Sequence, residues 1–87
     1  MSKPRKMPVG ERNIVGQKVA GLRKEKKIKQ KDLVAMLQSE GMDISETSMS
    51  RLEGQSRLVQ DFEIPILAKC LGVSVEWLLR QEKETLD

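Results

Sequence analysis

Four residues whose side chains can form hydrogen bonds lie at helical spacing in the middle of the chain: Glu46, Thr47, Ser50 and Arg51. At about 100° per residue they share one face of a helix, and we call them the polar stripe. Arginine donates a fork of hydrogen bonds to guanine, serine and threonine donate or accept, and glutamate accepts from cytosine. These residue types therefore suit the reading of base edges in DNA, although any solvent-exposed helix can carry them.

Residue types used in catalysis and metal binding are scarce. The chain has no histidine or tyrosine and a single cysteine, Cys70, so proton shuttling and zinc binding lack their usual residues. No nucleophile lies beside a recognisable base. We expect no enzyme activity, no metal and no cofactor. We assign Cys70 to the core or its margin, as a small apolar residue.

The cysteine count and the hydropathy pattern also indicate a cellular setting. A single cysteine cannot form an internal disulfide, which favours a reducing, cytoplasmic environment. No apolar run approaches the roughly 18 residues of a membrane span. The basic N-terminus is not followed by the apolar stretch of a signal peptide. We expect a cytoplasmic protein that does not enter a membrane.

Charge is distributed unevenly along the chain. Residues 1–31 contain eleven basic and two acidic residues, a net charge of +9, and residues 32–87 contain five basic and eleven acidic residues, a net charge of −6. The basic half favours a polyanionic partner such as nucleic acid. An unevenly charged surface without such a partner is an equal alternative.

Apolar spacing indicates five short helices. Repeats at three and four residues predict helices at about 13–26, 29–40 and 46–54. Ser45 is the expected N-cap of the third helix, and Asp61 and Ser74 are the expected N-caps of a fourth and a fifth. Gly41, Gly54 and Gly72 are expected to end the second, third and fourth helices.

These elements predict an all-α fold, a compact five-helix bundle in one domain over residues 13–80. A flexible basic arm is expected over residues 1–12, and a fraying tail over residues 81–87. The arm contains Lys3, Arg5 and Lys6, which could lie along a DNA groove or a phosphate strand. A tail without a partner is an equally good interpretation of the arm.

Three strings resemble one known family when they are taken together, in this order and spacing. They are LRKEKKIKQKDLVAML at residues 22–37, TSMSRLEG at residues 47–54 and ILAKCLGVSVEWLL at residues 66–79. The chain resembles the Cro/repressor-type, or XRE-like, helix-turn-helix regulators of phages and bacteria. The resemblance implies a phage-repressor-like bundle whose third helix enters the major groove of DNA.

The resemblance also implies roles for individual residues. The polar stripe matches the positions that face base edges, with Arg51 the strongest candidate. Gln30, at the start of the second helix, matches a glutamine that bonds a phosphate, although it could serve only as a cap. Further phosphate contacts are expected from Lys31, Ser48, Gln55 and Arg57 and from the arm residues Lys3, Arg5 and Lys6.

Two charged residues are expected to stabilise the fold without touching DNA. The resemblance pairs Arg23 of the first helix with Glu53 of the third in a partly buried ion pair that locks the third helix to the core. One feature departs from the family pattern, because residues 38–43 add about one helical turn to the usual link before the third helix. This longer link affects the angle at which the third helix meets DNA.

The last helix suggests self-association. Trp77, Leu78 and Leu79 offer more apolar surface than a short terminal helix needs for docking, and the resemblance implies pairing in this region. A twofold homodimer would match a palindromic operator in double-stranded DNA. Trp77 itself is expected to complete the core, and whether the chain dimerises stays open.

Two functions follow from the sequence. The first is a sequence-specific transcriptional regulator, with repression as the expected effect. The second is a protein-interaction module, such as an antitoxin, whose acidic later half meets a basic partner and whose DNA binding is secondary.

Overall fold

The computed structural model describes Gly10 and residues 12–80, and this part of the chain contains five helices and no strand. The helices are α1 (Gly16–Glu25), α2 (Gln30–Ser39), α3 (Glu46–Glu53), α4 (Glu63–Leu71) and α5 (Val75–Leu79). The predicted all-helical, five-helix architecture is confirmed for these residues. The arm residues Lys3, Arg5 and Lys6 and the tail at 81–87 lie outside the described residues.

One apolar core lies between the helices of this compact globule. Helix α3 packs against α1 and α2, and α4 packs against α1, α2 and α5. Val19, Leu37, Leu52, Leu67 and Leu78 each bring a completely buried side chain from a different helix. Helices of five to ten residues are marginal in isolation, so this shared burial stabilises them.

Helix α1 begins at Gly16, three residues later than expected, because Asn13 lies before the helix and its side chain bonds the amides at the helix start. The side-chain oxygen of Asn13 accepts hydrogen bonds from the backbone amides of Val15 and Gly16, at 3.1 and 2.7 Å. Its side-chain nitrogen donates to the backbone oxygens of Leu52 and Arg57, at 3.1 and 2.8 Å. One amide group therefore caps α1 and joins it to the end of α3.

The long link between α2 and α3 is firmly anchored. Met42 and Ile44 are buried in the core, and the side-chain nitrogen of Gln38 donates to the backbone oxygen of Ile44 at 2.7 Å. Gly41 has a φ of +96°, a left-handed conformation that glycine adopts without strain. The additional residues therefore hold α3 at a defined angle to α2.

The start of α4 differs from the expectation that Asp61 caps it. The N-cap residue is Phe62, and no side chain caps it. Instead the carboxylate of Glu63 accepts a hydrogen bond from the backbone amide of Gln60 at 3.0 Å. Glu63 can reach back in this way because Arg57 holds its carboxylate in place. The expected caps Ser45 and Ser74 do bond the amides of Ser48 and Trp77.

Helix α5 docks on α1 through Lys18. The ammonium group of Lys18 lies 4.9 Å from the centre of the Trp77 ring and donates to the backbone oxygens of Trp77 and Arg80. A cation favours both the face of an indole ring and the carbonyl end of a helix. Among the described residues, no helix has both the length and the apolarity needed to cross a membrane.

Two glycines of α1 provide a matched test of packing between α1 and α3. A Cβ atom at Gly16 would lie 2.2 Å from the backbone oxygen of Leu52, whereas a Cβ atom at Gly21 would have nothing within 4 Å. We expect Gly16→Ala to lower the free energy of unfolding by about 1 to 3 kcal/mol. Gly21→Ala should raise it by about 0.5 to 1 kcal/mol, because alanine is the better helix former.

Urea denaturation of the two variants beside the unsubstituted chain measures both changes. Equal effects of the two substitutions would contradict the close approach of α1 to α3.

Candidate functional site

The polar stripe lies on the solvent side of α3. Glu46, Thr47, Ser50 and Arg51 are all exposed, and at about 100° per residue they span an arc of about 140°. Met49 and Leu52, on the opposite side of the helix, are completely buried. Packing therefore fixes the helix while all four polar side chains remain available to a partner.

The rotation of α3 is held by an ion pair between Arg23 of α1 and Glu53. The guanidinium Nε and Nη2 atoms of Arg23 lie 2.7 and 3.0 Å from the two carboxylate oxygens of Glu53, and both side chains are nearly buried, at 12 and 9% exposure. The hydrogen bond to Glu53 raises the pKa of Arg23 above its usual value, against the opposing effect of burial. Arg23 also donates to the backbone oxygen of Ile28 at 2.9 Å, which ties the link before α2 to the same pair.

Gln30, the first residue of α2, extends this pair to the polar stripe. Its side-chain nitrogen donates to the carboxylate of Glu53 at 3.1 Å, and its side-chain oxygen accepts from the hydroxyl of Ser50 at 3.0 Å. A continuous hydrogen-bond chain therefore runs from Arg23 through Glu53 and Gln30 to the exposed Ser50. We call it the Arg23–Ser50 chain.

Arg57 and Ser48, both expected to contact phosphate, bond each other. The Nε atom of Arg57 donates to the hydroxyl of Ser48 at 2.9 Å, and its two terminal nitrogens form a two-pronged ion pair with Glu63 at 2.9 and 3.0 Å. Burial disfavours the charged form of Glu63, but the bonds from Arg57 and the Gln60 amide together leave its pKa below the usual value. Both side chains thus take part in holding the end of α3 to the start of α4, and their contact with phosphate stays a prediction.

Gln55 joins the end of α3 to the segment before α1. Its φ is +64°, so the left-handed turn after α3 falls on Gln55, and Gly54, with φ −84°, does not need to be glycine. The side-chain nitrogen of Gln55 donates to the backbone oxygen of Asn13 at 3.0 Å. The backbone oxygen of Gln55 accepts from the amides of Gly10 and Arg12, at 3.1 and 2.9 Å. Gly10 and Arg12 are therefore held beside the end of α3.

Lys31 is the one remaining residue of the expected phosphate set within the described residues. Its side chain is exposed in the first turn of α2. No side chain caps the start of this helix, where the N-cap Lys29 is in an extended conformation. Of the expected phosphate contacts, Gln30 thus bonds Ser50 of the polar stripe, and Lys31 follows it in the first turn of the same helix.

Several contacts that organise the site did not follow from the sequence. Asn13, Glu63 and the bond between Gln30 and Ser50 were all missed. Asparagine is a strong N-cap residue, so its place before the first helix was a usable signal for α1. The partners of Glu63 lie in the segment between α3 and α4, and the partner of Ser50 lies on α2. Nothing in the pattern of residues identifies these partners.

An apolar groove of about 490 Å³ lies next to α5, away from the polar stripe. Ile14, Ile64, Val75 and Leu79 are among the residues that line it, and Ile14 and Leu79 are 45 and 42% exposed. Leu78, which was expected to contact a second copy, is not available to one. It is completely buried in the core between α4 and α5. Trp77 packs against the core and under Lys18.

Cys70 and the acidic residues form no metal site within the described part of the chain. Cys70 is half-buried against the core, as expected for a small apolar residue. Burial raises the pKa of its thiol, and the nearby Glu40 carboxylate raises it further. The thiol is therefore less readily ionised than that of an ordinary cysteine.

Comparisons of the chain with protein-family models, with curated proteins and with solved structures give no match.

Alanine substitution in the ion pair is expected to cost much more stability than alanine substitution in the polar stripe. Glu53→Ala leaves the nearly buried guanidinium of Arg23 without its partner and should lower the free energy of unfolding by about 3 kcal/mol. Arg51→Ala removes an exposed side chain and should change it by less than about 0.5 kcal/mol. Thermal or urea unfolding of both variants measures the difference, and equal losses would contradict a structural role for Glu53.

Proposed function

We propose that the chain is a sequence-specific DNA-binding regulator of transcription, in which α2 and α3 act as a helix-turn-helix of the Cro/repressor type. Helix α3 enters the major groove, and repression in the cytoplasm is the expected outcome. The observation that carries the proposal is the exposed polar stripe on a helix whose opposite side is completely buried. A rigid helix with convergent hydrogen-bonding groups is what base-edge readout requires.

The stripe combines three kinds of hydrogen-bonding group. Arg51 offers a fork of donors that fits the O6 and N7 atoms of guanine, and Glu46 accepts from the amino group of cytosine. Thr47 and Ser50 stand between them on the face of the helix and add shorter contacts. Met49 and Leu52 pack the opposite side of α3, and Ser50 is also bonded to Gln30.

The start of α2 supplies the phosphate contacts in this proposal. Helix N-termini attract anions, because their first amides lack partners within the helix and the helix dipole is positive there. Gln30 and Lys31 add a polar and a charged side chain at the same place. Gln30 lies beside Ser50 of the stripe, so one duplex can contact both.

Selection of sites from random double-stranded DNA tests the proposal. The full chain should enrich one motif and bind it at least about a thousandfold more tightly than random DNA. Arg51→Ala should lose the preference at one guanine position, with a cost there of about 1 to 3 kcal/mol. Enrichment of no motif would contradict DNA reading, and a motif unchanged by Arg51→Ala would remove Arg51 from the base contacts.

The same selection distinguishes the second candidate function. A protein-interaction module of the antitoxin type should bind DNA only weakly, with strong sensitivity to salt and no preferred motif.

Lys31→Ala provides the control for backbone contact. It should weaken binding to all sequences alike and reduce the slope of log affinity against log salt by about one unit, with no change of motif.

We further propose that two copies pair through the apolar groove next to α5. Leu79 and Ile14 leave a large part of their apolar surface in water, which is unfavourable unless a partner covers it. A twofold pair presents the same surface from each copy. It would place two α3 helices roughly 34 Å apart, on successive turns of the major groove, so the selected motif should be a palindrome.

Leu79→Glu is expected to separate the pair. It puts a carboxylate into the apolar contact, whereas Leu58→Glu alters an exposed leucine that does not line the groove. Sedimentation equilibrium should give a dimer for the unsubstituted chain and for Leu58→Glu, and a monomer for Leu79→Glu. A monomer in all three cases would contradict pairing.

A further inference from the structure

The Arg23–Ser50 chain has a defined direction of hydrogen donation. Both carboxylate oxygens of Glu53 accept hydrogen bonds from the Arg23 guanidinium, and a carboxylate in such an ion pair only accepts hydrogen bonds. The atom of Gln30 that lies 3.1 Å from it must therefore be the amide nitrogen. This places the amide oxygen of Gln30 toward Ser50, at 3.0 Å.

The orientation of Gln30 determines the orientation of the Ser50 hydroxyl. An amide oxygen accepts hydrogen bonds and cannot donate them, and a serine hydroxyl has a single hydrogen. Ser50 must use that hydrogen in its bond to Gln30. Its oxygen keeps lone pairs that can only accept, and the side chain is exposed. A serine hydroxyl can in general pair with a donor or with an acceptor. The hydroxyl of Ser50 can therefore pair only with a donor of the partner molecule.

From this directionality we propose that Ser50 acts as a fixed acceptor that selects an exocyclic amino group in the major groove, the N6 of adenine or the N4 of cytosine. The proposal rests on the proposed function, and it names the base chemistry at one position of the site. Guanine and thymine present O6 and O4 acceptors there. Facing either of them, Ser50 would have to turn its hydrogen away from Gln30 and leave the amide oxygen unpaired.

Gln30 is the positioning residue in this arrangement. Without its amide oxygen, the Ser50 hydroxyl could rotate and donate to a keto oxygen as readily as it accepts from an amino group. Gln30→Met keeps the length of the side chain and removes the amide, so it should relax the base preference at the Ser50 position. A role of Gln30 limited to phosphate binding or to helix stability would change overall affinity and leave this preference intact.

Sites selected from random DNA locate the Ser50 position as the one whose preference disappears in Ser50→Ala. For the unsubstituted chain that position should hold adenine or cytosine on one strand. Purine in place of that adenine, or pyrimidin-2-one in place of that cytosine, deletes only the exocyclic amino group. We expect this deletion to weaken binding about three- to tenfold, the effect of one lost hydrogen bond.

The variants give a matched set of expected results. Deletion of the amino group should not change the affinity of Ser50→Ala for the site. Gln30→Met should bind sites with guanine or thymine at the same position. Thr47→Ala, an exposed substitution on the same helix, should retain the amino preference there and change a different position. Thermal unfolding of Ser50→Ala and Thr47→Ala should match that of the unsubstituted chain, because Thr47 and Ser50 are exposed.

Two failures can be told apart. A guanine or thymine preference at the Ser50 position, or full affinity after the amino deletion, would overturn the fixed acceptor while the DNA-binding function stands. The same holds if a motif depends on Arg51 but no position responds to Ser50→Ala. Enrichment of no motif at all would overturn the proposed function and this inference together.

Discussion

The ion pair between Arg23 and Glu53 is the interaction on which the other features of the site depend. Its two charges are nearly buried, so neither can lose its partner without a large cost. Because it joins α1 to the last residue of α3, it holds α3 at one rotation about its axis. That rotation keeps Met49 and Leu52 in the core and the polar stripe in solvent.

The same pair also sets the orientation of side chains at the surface. Glu53 accepts hydrogen bonds from Gln30 as well as from Arg23. This bond orients the amide group of Gln30, and the amide oxygen in turn orients the hydroxyl of Ser50. A buried charge therefore determines which hydrogen-bonding groups a surface hydroxyl can present. If the polar stripe binds a partner as proposed, the ordering of these groups in the free protein reduces the entropy that binding would otherwise lose.

The two ends of α3 are fixed by different contacts. Ser45 caps its first turn, and the buried link residues Met42 and Ile44 hold the approach from α2. At the other end, Asn13 and the pair of Arg57 with Glu63 tie the chain to α1 and α4. The polar stripe thus lies on a helix that is tied to α1, α2 and α4, and none of its residues lines the apolar groove next to α5.

The sequence by itself determined the number and approximate bounds of the helices, the caps Ser45 and Ser74, and the exposed face of α3. Apolar spacing and capping preferences are local, so they can be read along the chain. The family resemblance added the Arg23–Glu53 pair, and only the tertiary structure decided which other polar groups meet. It paired Arg57 with Glu63, buried Leu78 and joined Gln30 to Ser50, because these contacts depend on how the helices and the segment between α3 and α4 pack.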